Sequence, residues 1–117
     1  MKFKFMVMPD EGFRVESALK KDELIAWQLE SISCQEVADM IFEGIKEVQS
    51  NMTKEWHMSF NITFLSITKN KINCSNSYNE DEFIEITLEL FVTILNRWVL
   101  FIKETKYKKN YRKLVEF

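Results

Sequence analysis

Residues 87–103 read TLELFVTILNRWVLFIK, the most apolar and most strongly patterned run in the chain. Wound at about 3.6 residues per turn, it sets Leu88, Phe91, Ile94, Leu95, Trp98 and Ile102 along one stripe. Glu89, Thr93, Asn96, Arg97 and Lys103 gather on the opposite side. Val92, Val99 and Phe101 widen the apolar arc, and Leu100 alone lies among the polar residues. Thr87 is suited to the N-cap, because its hydroxyl can accept from a backbone N–H of the first turn. The spacing predicts a largely buried helix with the rest of the chain wrapped on it.

Upstream of that helix the period falls to two. Phe83–Ile86 reads as a short strand running into Thr87, and Asn79-Glu80-Asp81-Glu82 before it as an acidic turn. Lys71–Tyr78 is a return strand with Ile72 and Cys74 inward, reached through a tight turn at Lys69-Asn70. From Glu55, one half-buried strand points Trp56, Met58, Phe60, Ile62 and Phe64 to one side. His57, Ser59, Asn61 and Thr63 point to the other. Ser33-Cys34-Gln35-Glu36 has the form of a capping box and opens a helix to about Ser50. Val37, Ile41, Ile45 and Val48 form its apolar stripe, and Glu36, Asp39, Glu43 and Glu47 its acidic one. Residues 13–33 admit a helix over 16–30 or a strand over 24–32; the alternation of Ile25, Trp27 and Leu29 favours the strand. Residues 2–8, KFKFMVM, alternate as a strand, followed by turn chemistry at Pro9–Gly12. The tail, 103–117, either prolongs the long helix or docks separately. The outline is an α+β fold of two layers, an antiparallel sheet with helices packed on one face.

A chain of 117 residues is one domain, 1–117, and is long enough to bury a core without a staple. Ten Phe, three Trp and three Tyr supply that core. The opening residues alternate and do not form a secretory signal, and the apolar run at 98–102 is too short to span a membrane. A cytoplasmic protein is therefore expected, and the Asn-x-Ser/Thr triplets at Asn51, Asn61 and Asn73 carry no glycosylation reading. Cys34 and Cys74 stand far apart with no Cys-x-x-Cys, which fits two reduced thiols, although their pairing stays open.

Charge is unevenly spread. Residues 1–102 carry ten Lys/Arg and sixteen Asp/Glu, and residues 103–117 carry six and two, so −6 and +4. An acidic body thus bears a basic C-terminal segment, which bears on partners more than on fold. For catalysis the residues offer little. His57 is the only histidine and sits on the polar side of a strand; Cys34 at a helix start could carry a lowered pKa, but that setting is widespread. Gly12 and Gly44 stand alone, so no glycine-rich loop cradles phosphate. No enzyme activity, cofactor, metal, small-molecule substrate or membrane contact is expected. The acidic residues Glu36, Asp39 and Glu43 on the first helix, with Glu80, Asp81 and Glu82 in the turn, have two readings. One is an ordinary solvated face; the other is a surface for a basic partner. In the tail, Lys106, Lys108, Lys109, Arg112 and Lys113 interleave with Tyr107 and Tyr111. That pattern can bind nucleic acid, or serve the fold through the helix dipole and tyrosine packing; nucleic-acid binding ranks second.

Taken together, ITFLSITKNKINCSNSYN (62–79), the acidic EDEFIEI (80–86) and TLELFVTILNRWVLFI (87–102) have a familiar shape. They resemble immunity proteins of bacterial polymorphic toxin systems, including those of contact-dependent growth inhibition. Such chains end on an acidic turn, a strand and a helix of the form S/T-L-E-E-F with a later Trp. Thr87-Leu88-Glu89-Leu90-Phe91 and Trp98 match, with Leu90 in place of the usual acidic residue. The resemblance covers about half the chain, leaves residues 1–33 and the basic tail without a counterpart, and transfers no binding residue. It implies a non-catalytic cytosolic inhibitor that binds one cognate toxin domain, often a basic nuclease.

Overall fold

Thr87 caps the long helix as its hydroxyl accepts from the Leu90 N–H at 3.1 Å. In the computed structural model, which describes residues 1–106 and 108–117, this helix, α3, runs Leu88–Glu104. Before it come β1 (Lys2–Met8), β2 (Gly12–Ser17), a short 3-10 turn (Lys20–Asp22), α1 (Glu23–Glu30) and α2 (Gln35–Gln49). Then follow β3 (Trp56–Ser59), β4 (Thr63–Ile67), β5 (Lys71–Asn76) and β6 (Asn79–Thr87); β7 (Tyr111–Glu116) comes after α3. Leu88, Phe91, Ile94, Leu95, Trp98, Val99 and Phe101 are buried as the stripe requires, Ile102 is half-buried, and Leu100 faces solvent.

The fold is α+β, with its strands divided between two antiparallel sheets, β2-β1-β7 and β3-β4-β5-β6. The helices tie the sheets together. Trp98 is fully buried; its indole N–H donates to the Ile32 carbonyl at 2.7 Å, and its ring meets Phe5 edge-on at 4.9 Å. Phe101 lies 5.5 Å from Phe5, so the C-terminal half of α3 covers the three-stranded sheet. The start of α3 packs on β5 and β6, and α1 touches β2 of one sheet and β4 and β5 of the other. One continuous core results, and the two sheets cannot be separated without opening it.

Several local expectations are corrected. Residues 24–32 do not form a strand: Glu23–Glu30 is helical. Most of its residues favour helix, and Ile25, Gln28 and Leu29 at helical spacing are buried together. Ser33 does not cap α2; Cys34 occupies the N-cap without a side-chain cap bond. The strand expected from Glu55 through Phe64 is broken by a turn in which the Phe60 N–H donates to the Thr63 carbonyl. That turn reverses the phase, so Phe64 leaves the inner face and Thr63 enters it, its hydroxyl donating to Gln28 Oε1 at 2.9 Å. The acidic turn moves as well, for the reversal falls at Ser77-Tyr78 and Glu80, Asp81 and Glu82 lie within β6. Of the two readings of the tail, separate docking is the one realised, since α3 ends at Glu104. Tyr111–Glu116 pairs with β1 in register, Lys2 opposite Glu116 through Val7 opposite Tyr111. Tyr107, one of the two tyrosines in the basic pattern, lies outside the described residues.

Candidate partner-binding surface

Strand parity decides what the four-stranded sheet shows to solvent. Ile72, Cys74, Leu65 and Ile67 turn inward and are fully buried, so their neighbours turn outward. The register aligns these outer residues in two rows across the sheet: His57, Ser66, Asn73 and Glu85, then Ser59, Phe64, Ser75 and Phe83. The face they make is concave and encloses a trough of about 670 Å³, with Glu55, Glu80, Glu85 and Lys71 at its margins. Phe83 is 58% exposed, an uncovered aromatic ring on a face that is polar apart from it and Phe64.

Polar contacts order this face. The Glu55 carboxylate accepts from the Ser66 hydroxyl and holds His57 Nε2 at 2.9 Å. Those hydrogen bonds, the serine's first and the imidazole's second, lower the Glu55 pKa below the usual carboxylate value. The imidazole also stacks on Phe64, ring centres 5.5 Å apart. Ser66 and His57 therefore both address the same carboxylate oxygen, and the serine hydroxyl donates to Glu55 and not to the imidazole. Cys74 is buried, and burial raises its thiol pKa to about 12, leaving it a small packed side chain. Among the described residues no group of His, Cys, Asp and Glu is placed to hold a metal ion.

The six carboxylates expected to bind a partner fall into two separate places. Glu36, Asp39 and Glu43 are exposed on α2, whose neighbours in this sheet are β3 and β4. Glu36 folds back on the helix start, where its own backbone N–H and then the Cys34 side chain lower its pKa. Asp39 accepts from Gln35 Nε2 at 2.8 Å, and Glu43 lies 3.4 Å from Lys46 Nζ. Glu80, Asp81 and Glu82 sit at the opposite edge of the sheet. The register there jumps from Ser75 opposite Phe83 to Asn76 opposite Asn79, so these three residues bulge outward without partners on β5. The Glu82 carboxylate accepts from Asn76 Nδ2 at 2.9 Å, and the Asp81 N–H donates to Asn79 Oδ1 at 3.2 Å. One group lies on the helix packed against β3 and β4 and the other on β6, at the far edge of the sheet, so they do not form one cluster. The outer face of the sheet lies between their edges. Glu55, Phe64, Ser66, Phe83 and Glu85 belong to it, and sequence reasoning missed them as a set, because the turn at residues 60–63 flips Phe64 outward.

The basic segment takes a different position. Arg112 and Leu114 point to the outer side of the three-stranded sheet; Tyr111, Lys113 and Val115 point to its inner side. The Tyr111 ring lies 6.0 Å from Phe101 and carries Lys108 Nζ 4.0 Å above it, so it is engaged within the fold. No helix among the described residues is long and apolar enough to cross a membrane. Comparison with models of protein families, with characterised proteins and with solved structures finds no match to this chain.

Proposed function

We propose that this chain is a stoichiometric, non-catalytic inhibitor of the immunity type, which binds one basic toxin domain, a nuclease by the resemblance, in the bacterial cytoplasm. The observation that carries the reading is the division of charge along the fold. The segment 35–89, which makes α2 and the whole four-stranded sheet, holds ten Asp/Glu and four Lys/Arg; the remainder holds eight and twelve. A basic domain is drawn to the acidic side by long-range attraction, and carboxylates there can occupy places a nuclease reserves for phosphates. The trough adds what charge alone lacks: a shaped face with an exposed aromatic ring and hydrogen-bonding side chains, with Glu55 at one margin and Glu80 and Glu85 at the other.

Affinity capture with the tagged chain, followed by mass spectrometry and a growth-rescue assay of the captured domain, tests this. The expected result is a basic domain held one to one, whose toxicity the chain relieves. Reversing Glu36, Asp39, Glu43, Glu80, Asp81 and Glu82 to Lys together is expected to weaken capture at least about tenfold. Unchanged affinity in that variant would remove these six residues from the site. Recovery of nucleic acid alone, or of a domain whose toxicity is not relieved, would overturn the function.

A further inference from the structure

The two sheets have four edges, and the fold treats them unequally. The β2 edge is met by α1, where Glu30 Oε1 accepts from the Val15 N–H at 3.0 Å and from Arg14 Nε at 3.1 Å. The β3 edge lies against α2, with the Trp56 ring laid over Gly44. At the other two edges, β6 and β7, no side chain among the described residues bonds the outer backbone of 83–86 or 111–116. Open edges are templates for another strand, and natural folds commonly blunt them with like charges. Here their charges differ in sign: Glu80, Asp81, Glu82 and Glu85 make β6 acidic, whereas β7 is net basic through Arg112 and Lys113, with Glu116 at its end.

We propose that copies of this chain associate head to tail, β6 of one pairing antiparallel with β7 of the next. Side-chain parity selects the register. Glu85 opposite Arg112 places Phe83 opposite Leu114, all four on the outer faces of their sheets. Phe83 and Leu114 are among the most exposed apolar side chains, 58% and 77%, and each would cover the other. A shift of two residues either way loses both matches, setting Phe83 against Arg112 or against Glu116. Glu85 already holds Lys71 through one oxygen at 3.4 Å, and among the described residues no other cation pairs with it, so its second oxygen can meet Arg112. The contact joins two different surfaces, so it builds chains, or rings if the rotation closes. It stands apart from the toxin reading, except that a basic partner seated on β6 would compete with it.

Sedimentation equilibrium over a wide range of protein concentration tests the proposal. The wild-type chain is expected to grow in mass with concentration, less so at high salt. Arg112→Glu and Glu85→Arg, each confirmed folded by circular dichroism, are each expected to weaken association roughly tenfold. An equimolar mixture of the two variants is expected to regain it, because Arg at 85 of one then meets Glu at 112 of the other. A monomer at every concentration, or association that neither substitution weakens, would overturn the proposal, as would a mixture no stronger than its components.

Discussion

Gly44 is the residue whose absence of a side chain matters most. A Cβ built there would lie 2.3 Å from the Trp56 ring, far inside van der Waals contact. The ring therefore rests on bare helix backbone and locks α2 to β3. Gly44→Ala gains about 1 kcal/mol of helix propensity, yet must push the ring aside at a cost of about 1–3 kcal/mol. A net loss of stability is expected in urea denaturation, and Trp56→Ala in the same chain is expected to erase the steric part in a double-mutant cycle. Additive effects would show that ring and helix do not touch. Glu55 acts through charge instead. Its lowered pKa means that the unfolded chain binds a proton more readily than the folded one. Its contribution to stability is whole above the ordinary carboxylate pKa and is lost as pH falls through the lower folded value. Glu55→Gln is expected to lower stability slightly at neutral pH, where the charged carboxylate contributes, and to converge on the wild type below that acidic window, as read by chemical denaturation at a series of pH values. A parallel shift at every pH would assign Glu55 a packing role only.

At the level of elements, the basic segment changes meaning once it is seen as β7. Its strand completes a three-stranded sheet whose inner face holds Phe3, Phe5 and Val115, and the N-terminal ammonium donates to the Phe117 carbonyl at 2.9 Å. Removing 110–117 exposes that face and leaves a two-stranded ribbon, which is marginal by itself. Such a truncation is expected to lower the melting temperature sharply or to prevent folding, whereas Arg112→Ala with Lys113→Ala leaves the melt nearly unchanged. The contribution of this segment to binding must therefore be read from point substitutions. A truncated chain that melts like the full one would contradict the packing. By contrast α3 is legible on its own. Its cap at Thr87, stripe and exposed Leu100 all lie within one continuous segment, and the structure reproduces them.

Over the whole molecule, the acidic segment 35–89 and the basic tail become the two sides of a single fold held by one core. Local chemistry determined much of this: α2 and α3 follow from a 3.6-residue period, and the β4–β5 hairpin from alternation around Lys69-Asn70. Those signals span one or two turns of chain, so they survive in the sequence alone. Three features were decided only by tertiary structure. The helix at Glu23–Glu30 won over a strand because Ile25, Gln28 and Leu29 bury together between the sheets. The reversal at Phe60–Thr63 moved Phe64 outward and built the trough, a change of phase that alternation cannot reveal. The pairing of residues 2–7 with 111–116 joins the two ends of the chain, and no local pattern encodes which strand an edge will choose. Period and capping are properties of neighbours in sequence. Strand partners, and the surfaces they make, are properties of neighbours in space.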